Sequence, residues 1–92
     1  MKYKTKDTFT IINEKGLHTR PSTELVRCAS SFKAQIFLSY QDLTVNAKSL
    51  LGILMLAAHR GSKIHIEAEG EDASAAVQAL IELAQNRFNI KY

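Results

Sequence analysis

Residues 35–46 have the sequence QIFLSYQDLTVN. In the first half, Ile36, Leu38 and Tyr40 alternate with Gln35, Phe37 and Ser39. A period of two residues is typical of a β-strand. The Gln-Asp pair at 41–42 can turn the chain into a short second strand, Leu43 to Asn46. Because strands joined by so short a turn run antiparallel, this segment predicts a β-hairpin.

The sequence on both sides of the hairpin predicts two more strands and three helices. β-Branched and aromatic runs indicate strands, whereas apolar residues three or four apart indicate helices. The expected elements are a strand from Thr8 to Ile12, a helix from about Thr19 to Ser30, a helix that begins after the N-cap Ser49 and ends before Gly61, a strand from Lys63 to Glu69, and a last helix opened by Gly70-Glu71-Asp72 with a buried stripe of Val77, Leu80, Ile81, Ala84 and Phe88.

These elements give the order β-α-β-β-α-β-α within 92 residues, a length that predicts one domain over residues 1–92. Strands and helices interleave, but the hairpin excludes a purely parallel sheet. The predicted fold class is therefore α+β. We expect an open-faced β-sandwich in which three helices cover one face of a four-stranded antiparallel sheet.

Composition excludes several classes of protein. No apolar stretch is long enough to span a membrane, and no apolar segment follows the basic N-terminus as in a secretory signal. The single cysteine, Cys28, has no partner for an internal disulfide, so a cytoplasmic location is expected. His59 and His65 lack partners at ligand spacing, and no metal site or cofactor is predicted.

The positive charge is concentrated in the first third of the chain. Residues 1–33 hold seven Lys or Arg against three Asp or Glu, whereas residues 34–92 hold five against six. This asymmetry favours an acidic partner surface or an anion such as phosphate. The basic residues do not form a stripe, so nucleic-acid binding is not expected.

His18 is the candidate nucleophile. It lies between a loop that contains Gly16 and a helix start, where the backbone N–H groups of Thr19 and Arg20 favour an anion. Arg20 adds a forked array of donors suited to phosphate. From the residues alone, a surface histidine that merely flanks a helix is the somewhat better interpretation, since most lone histidines are not functional.

Three segments resemble one family. GLHTRP at 16–21, NAKSLLG at 46–52 and IEAEGEDA at 66–73 are similar to the signatures of HPr, the histidine-containing phosphocarrier family of the bacterial sugar phosphotransferase system. The resemblance covers roughly Thr8 to Phe88. It implies a phosphocarrier that is not itself an enzyme: enzyme I phosphorylates His18 on Nδ1, Arg20 steadies the phosphate, and a sugar-permease IIA domain receives it.

Ser49 has two compatible interpretations. Its hydroxyl can cap the second helix, which stabilises a helix by about 1 kcal/mol. The family resemblance adds regulatory phosphorylation by an ATP-dependent HPr kinase/phosphorylase, with Gly52 fitting the pattern of relatives that use this serine. A phosphate there would place about −2 charges beside apolar residues.

The second helix also predicts a docking surface. One helix cannot bury all of its apolar residues, so some must form an exposed patch. The resemblance implies that this patch docks enzyme I and IIA domains together with residues of the first helix, the protein acting as a monomer. The predicted docking residues are Thr19, Thr23, Arg27, Leu50, Leu51, Leu54 and Met55.

Three features depart from the family pattern, and one of them is that Ser22 and Thr23 replace the alanines often found after the proline. Lys15 stands where relatives often carry Asn or Ser, so the loop before His18 must be held differently. The run from Asn86 to Tyr92 is longer than usual and has no functional interpretation from sequence. Two alternatives remain open: a chiefly regulatory HPr-like binding module with little role in sugar transport, and a simple basic α+β interaction domain.

Overall fold

The computed structural model describes residues 3–91 and has the predicted order of elements. A short turn follows the last helix and is called here the C-terminal turn. In chain order the elements are β1 (Lys4–Thr10), α1 (Thr19–Ser30), β2 (Gln35–Tyr40), β3 (Leu43–Asn46), α2 (Leu50–Met55), β4 (Lys63–Glu69), α3 (Ala73–Gln85) and the C-terminal turn (Arg87–Asn89).

The four strands form one antiparallel sheet in the order β1-β4-β2-β3. The predicted hairpin pairs β2 with β3, with Tyr40 opposite Leu43. Strand β4 lies between β1 and β2, so that Ile64 pairs with Phe9 and Ala68 with Ile36. The α+β fold class and the four-stranded antiparallel sheet with three helices are therefore confirmed.

Alternation along the strands separates a buried face from an open face. In β4, Ile64, Ile66 and Ala68 are buried in the core, while His65 between them is exposed. On the open face, Lys4 forms an ion pair of 2.8 Å with Glu67. The helices contribute Leu25, Ile53, Val77 and Leu80, among others, to the core on the buried face.

The predicted bounds of the first strand were wrong at both ends. Strand β1 begins at Lys4 because pairing with β4 extends to Lys4 and Glu69, and it ends at Thr10, opposite Lys63. Ile11 is fully buried and lies beyond the strand, where its N–H donates to Ser62 O at 2.9 Å. Ile11 is therefore apolar because it is buried as part of a loop, and its apolar side chain led to the prediction of a longer strand.

The second helix ends before Gly61 as predicted, whereas the predicted extent of the last helix needs correction. Helix α2 ends at Met55, well before Gly61, and Ala57 has a left-handed φ of 51° that is incompatible with its continuation. Phe88 is fully buried as predicted, but it belongs to the C-terminal turn and not to α3. Ile81 is only partly buried.

Asp72 fixes the far end of α1. It occupies the N-cap position of α3, but its side chain accepts hydrogen bonds from the N–H groups of Lys33 and Ala34, both at 2.8 Å. These bonds, that of Lys33 first, hold the pKa of Asp72 below its usual value of 3.8. The carboxylate therefore joins the α1–β2 loop to the start of α3.

Within residues 3–91, none of the helices combines the length and the apolar character that a membrane span requires.

Candidate functional site

His18 occupies the N-cap position of α1. Its backbone is extended, with φ −78° and ψ −173°, and its carbonyl accepts a hydrogen bond of 3.1 Å from the Ser22 N–H. The imidazole makes no capping hydrogen bond to the helix. The side chain is partly exposed, but Nε2 is inaccessible to solvent. Burial therefore excludes Nε2 from reaction with a bulky reagent.

The loop that precedes the helix, residues 11–18, is called here the histidine loop, and it packs against residues 57–62, the opposite loop. The Leu17 N–H donates to Ala58 O at 2.9 Å, and the Gly61 N–H donates to Ile11 O at 2.8 Å. Gly16 has a φ of 67°, and a Cβ at this position would collide with Ala58 O. The close approach of the two loops therefore requires glycine at position 16.

Asn13 is a buried residue of the histidine loop that sequence reasoning missed. It is fully buried, its carbonyl accepts the Gly16 N–H at 3.0 Å, and its side-chain Nδ2 donates to Arg87 O at 2.9 Å. A carbonyl oxygen only accepts, so the amide must present its nitrogen to Arg87. An asparagine in a predicted loop gives no sequence signal for such a long-range bond.

The first turn of α1 is electropositive. Thr19 and Arg20 are exposed, and the turn contains no acidic residue. The Ser22 N–H donates to His18 O, and Pro21 has no N–H. The backbone N–H groups of the first turn that precede Ser22 are therefore those of Thr19 and Arg20. His18 thus stands at the positive end of the helix dipole, two residues before Arg20.

Two further predicted docking residues continue along α1. Thr23 is partly buried, and its hydroxyl donates to Thr19 O at 2.8 Å. Arg27 is exposed and pairs with Glu24 at 3.3 Å, one helical turn back. The positions Thr19, Thr23 and Arg27 are four residues apart, so they lie along one side of the helix.

Ser49 caps α2 as predicted. Its Oγ accepts the Gly52 N–H at 3.1 Å, and its backbone N–H donates to Asn46 O at 3.0 Å. A Cβ on Gly52 would lie 3.1 Å from Val45 Cβ and 3.3 Å from Ser49 Oγ. The small residue at position 52 therefore lets α2 approach β3 closely, a reason internal to the fold.

The apolar residues of α2 divide between core and surface. Ile53 and Leu56 are buried, whereas Leu51 is 69% and Met55 59% exposed. Leu50 is exposed as well, and Leu54 is partly buried. These four, Leu50, Leu51, Leu54 and Met55, are called here the apolar patch. The prediction that part of the helix faces solvent is confirmed.

Three other residues considered from the sequence are Lys15, His59 and Cys28. Lys15 is exposed in the histidine loop. His59 is exposed in the opposite loop, with its ring edge-on to Tyr40 at 6.4 Å between centroids. Cys28 is partly buried, which raises the pKa of its thiol. Across residues 3–91, His, Cys, Asp and Glu side chains form no group of three suited to a metal ion.

Comparison with known proteins gives consistent similarities. A family model described as "PTS HPr component phosphorylation site" matches residues 5–86. The chain is 45% identical over 80 residues to the phosphocarrier protein HPr of Xylella fastidiosa, covering 87% of this chain and 90% of that protein. It is similar to the crystal structure of HPr-C-His from Thermoanaerobacter tengcongensis, with a TM-score of 0.90, 36% identity, and coverage of 96% and 99%. Similarity to Crh of Bacillus subtilis is lower, with a TM-score of 0.73, 33% identity, and coverage of 82% and 86%.

Proposed function

The chain belongs to the HPr family, the phosphocarriers of the phosphotransferase system, and on that premise we propose that His18 carries the phosphoryl group. A phosphocarrier is not itself an enzyme, so the chemistry is completed by a protein on each side of the transfer. The observation that carries the proposal is the position of His18. Its ring stands at the N-terminus of a helix whose first turn holds Arg20 and no acidic residue, yet does not cap that helix.

The transfer is a displacement at phosphorus. The lone pair of Nδ1 attacks the phosphorus carried by enzyme I, a nitrogen–phosphorus bond forms, and the bond between phosphorus and enzyme I breaks. The Thr19 and Arg20 N–H groups and the Arg20 guanidinium stabilise the charge on the phosphate oxygens. The reverse sequence of bond changes delivers the group to a IIA domain. Stabilisation must be moderate, because a tightly held phosphohistidine would not be released.

The docking surface in this proposal combines the apolar patch with one side of α1. The exposed Leu51 and Met55 side chains supply apolar area, and Thr19, Thr23 and Arg27 of α1 supply polar contacts. Enzyme I and IIA domains bind this surface in turn. The positive charge of α1 suits acidic groups on both partners.

Ser49 is a regulatory site in this proposal, phosphorylated by an HPr kinase/phosphorylase. Ser49 is partly exposed and directly precedes Leu50, the first residue of the apolar patch. A phosphate would add about −2 charges next to exposed leucine side chains. Docking of an apolar or acidic partner surface would then be weakened, while the helix N-terminus tolerates the charge.

Sugar transport is favoured over a chiefly regulatory module. HPr structures match this chain with TM-scores from 0.75, for an HPr dimer, to 0.90, whereas the two structures of Crh, the catabolite repression HPr, match it with 0.73, for a domain-swapped dimer, and 0.65. The chain also has a histidine, His18, at the N-terminus of α1. Phosphoryl transfer through His18 to IIA domains is therefore the main role, and Ser49 modulates it.

The test uses enzyme I with labelled phosphoenolpyruvate. The wild-type protein and a His65→Ala variant should both acquire acid-labile label, because His65 is exposed on the open face of the sheet, in β4. His18→Ala should acquire none. Equal labelling of His18→Ala and the wild type would refute the assignment of His18. For Ser49, incubation with ATP and an HPr kinase should give acid-stable label that is lost in Ser49→Ala.

We also propose that the protein acts as a monomer in the cytoplasm, where enzyme I and IIA domains meet it. Dimers are described for an HPr of Thermoanaerobacter tengcongensis and for Crh, whose dimer is domain-swapped. Light scattering across a concentration series should give the mass of one chain, 10.3 kDa. A stable dimer at working concentrations would contradict the proposal.

A further inference from the structure

The C-terminal turn has an unusual backbone. Arg87, Phe88 and Asn89 have φ values of 55°, 55° and 63°, so three consecutive residues other than glycine lie in the left-handed region. Each such residue is disfavoured by steric contact of its Cβ. A conformation of this kind persists only where surrounding contacts determine it, and it often lies beside a functional site.

Contacts with the core hold the turn in place. Phe88 is fully buried, with its ring edge-on to Phe9 at 6.0 Å between centroids. The Asn89 N–H donates to Asn86 O at 3.0 Å, and the Ile90 N–H donates to Arg87 O at 2.9 Å. The turn is therefore anchored to β1 and closed by its own hydrogen bonds.

Beyond the turn, the chain reaches the first turns of α1. Ile90 lines a shallow depression of about 260 Å³ together with Thr19, Arg20, Thr23 and Glu24. The C-terminal segment thus lies beside the same helix start that carries the proposed phosphate contacts, while the opposite loop contacts the histidine loop at Leu17.

Asn13 joins this segment to the histidine loop. Its amide Nδ2 donates to Arg87 O at 2.9 Å across 74 residues of sequence, and the side chain is fully buried. The backbone of the same residue accepts the Gly16 N–H at 3.0 Å. One residue therefore holds both the loop turn that leads to His18 and the carbonyl at the start of the C-terminal turn.

Backbone contacts continue from that loop turn to the imidazole. Leu17 follows Gly16 directly, is buried, and donates its N–H to Ala58 O. Its carbonyl accepts the Ser22 hydroxyl at 3.1 Å, and His18 O accepts the Ser22 N–H. A shift at Asn13 would therefore move the peptide units that orient the His18 side chain.

We propose that Asn13 is a positioning residue for phosphoryl transfer: its amide ties the histidine loop to the C-terminal turn and so sets the orientation of the His18 imidazole. This inference rests on the proposed function of His18. Reaction rates respond steeply to small displacements of reacting atoms, so loss of the tie should act on the chemical step more than on partner binding.

The main experiment compares Asn13→Ala with the wild type and with Val77→Ala. Val77 is buried in α3, so its truncation destabilises the core without removing a hydrogen bond of Asn13. With enzyme I and phosphoenolpyruvate, Asn13→Ala should lower kcat for phosphorylation about tenfold and change KM less than twofold. Val77→Ala should leave both close to wild type. A kcat for Asn13→Ala equal to that of Val77→Ala would overturn the proposal.

Nuclear magnetic resonance of the imidazole gives a readout that does not require enzyme I. The ring signals of His18 should shift in Asn13→Ala, whereas they should stay unchanged in Val77→Ala. Unchanged His18 signals would count against a positioning role. If the wild type accepts no label from enzyme I, the proposed function fails, while the imidazole spectra still report whether Asn13 orients His18.

A measurement on the wild type alone keeps the proposal testable if Asn13→Ala does not fold. Chemical or enzymatic phosphorylation of His18 should shift the side-chain amide signals of Asn13 and leave the amide signals of the exposed Gln35 unchanged. Asn13 signals that do not respond to phosphorylation would contradict the coupling.

Discussion

Helices α1 and α2 both begin after a residue with an extended backbone, but they use that residue in opposite ways. Ser49 accepts a hydrogen bond from Gly52 and closes the N-terminus of α2, whereas the imidazole of His18 makes no cap on α1. A side chain that caps a helix stabilises the fold and is committed to that bond. At α1 the same position holds the proposed nucleophile, and in that proposal the positive end of the helix dipole faces the phosphate.

The largest expected effect comes from giving α1 the cap that α2 has. His18→Ser supplies a hydroxyl that can accept from the Arg20 N–H, because Pro21 at the alternative position has no N–H. We expect phosphoryl acceptance to disappear and the free energy of unfolding to rise by about 0.5 kcal/mol. Denaturant unfolding and enzyme I labelling measure the two quantities. A variant that loses both function and stability would show that His18 itself stabilises α1.

A smaller effect should follow from removing the fixed charge of that N-terminus. Arg20→Gln keeps hydrogen-bond donors but removes the guanidinium charge beside the phosphate. Because a charge-assisted hydrogen bond is roughly twice as strong as a neutral one, we expect the phosphorylation rate to fall about tenfold. Arg27→Gln removes an exposed charge two turns further along, already paired with Glu24. That control should change KM for enzyme I more than kcat. Equal losses of kcat in both variants would indicate a general effect of net charge.

The opposite change, removing the cap of α2, should affect stability more than transfer. Ser49→Ala leaves the Gly52 N–H without its side-chain acceptor and should lower the free energy of unfolding by about 1 kcal/mol. Phosphorylation of His18 should stay within twofold of wild type. Ser49→Asp restores an acceptor and should recover the stability, but its charge beside the apolar patch should raise KM for enzyme I. Full recovery of both quantities would argue against a regulatory charge at this position.

Sequence and structure agree most closely where local chemistry determines the outcome. The hairpin, the start of α1 at Thr19 and the Ser49 cap follow from periodicity and side-chain type, and each is observed. The resemblance then located His18 and Arg20 as site residues, an assignment that geometry supports and the labelling experiment must test. From the residues alone, His18 was no better than an even choice.

Other features depend on contacts that are distant in sequence. Ile11 is buried against a loop some fifty residues away, so its apolar character indicated a strand that is absent there. Ala57 and the C-terminal turn adopt left-handed conformations at residues other than glycine, so the sequence gives no signal for them. The bond from Asn13 to Arg87 spans 74 residues, and neither residue type signals the other. Such long-range determinants explain the wrong element bounds and the missed positioning residue.

The smallest expected effect concerns the third helix N-terminus, at α3. Asp72 occupies the N-cap position, but its carboxylate accepts from Lys33 and Ala34 in another loop. Because these bonds lower the pKa of Asp72 in the folded state, its contribution to stability is present above the unfolded value of 3.8 and is lost as pH falls through the folded pKa.

Asp72→Asn should therefore be less stable than the wild type at neutral pH, and the gap should close as the solution is acidified below pH of about 4. Glu71→Gln removes the neighbouring exposed carboxylate and serves as the control, with stability close to wild type throughout. Phosphorylation of His18 should be unaffected in both variants, because the Asp72 bonds lie at the far end of α1. A gap that persists undiminished at low pH would show that the ionised carboxylate is not what holds the α1–β2 loop. In contrast to α1 and α2, this helix start would then be fixed by packing of Gly70 against Ala34, where a Cβ on the glycine would lie 2.9 Å from Ala34 Cα.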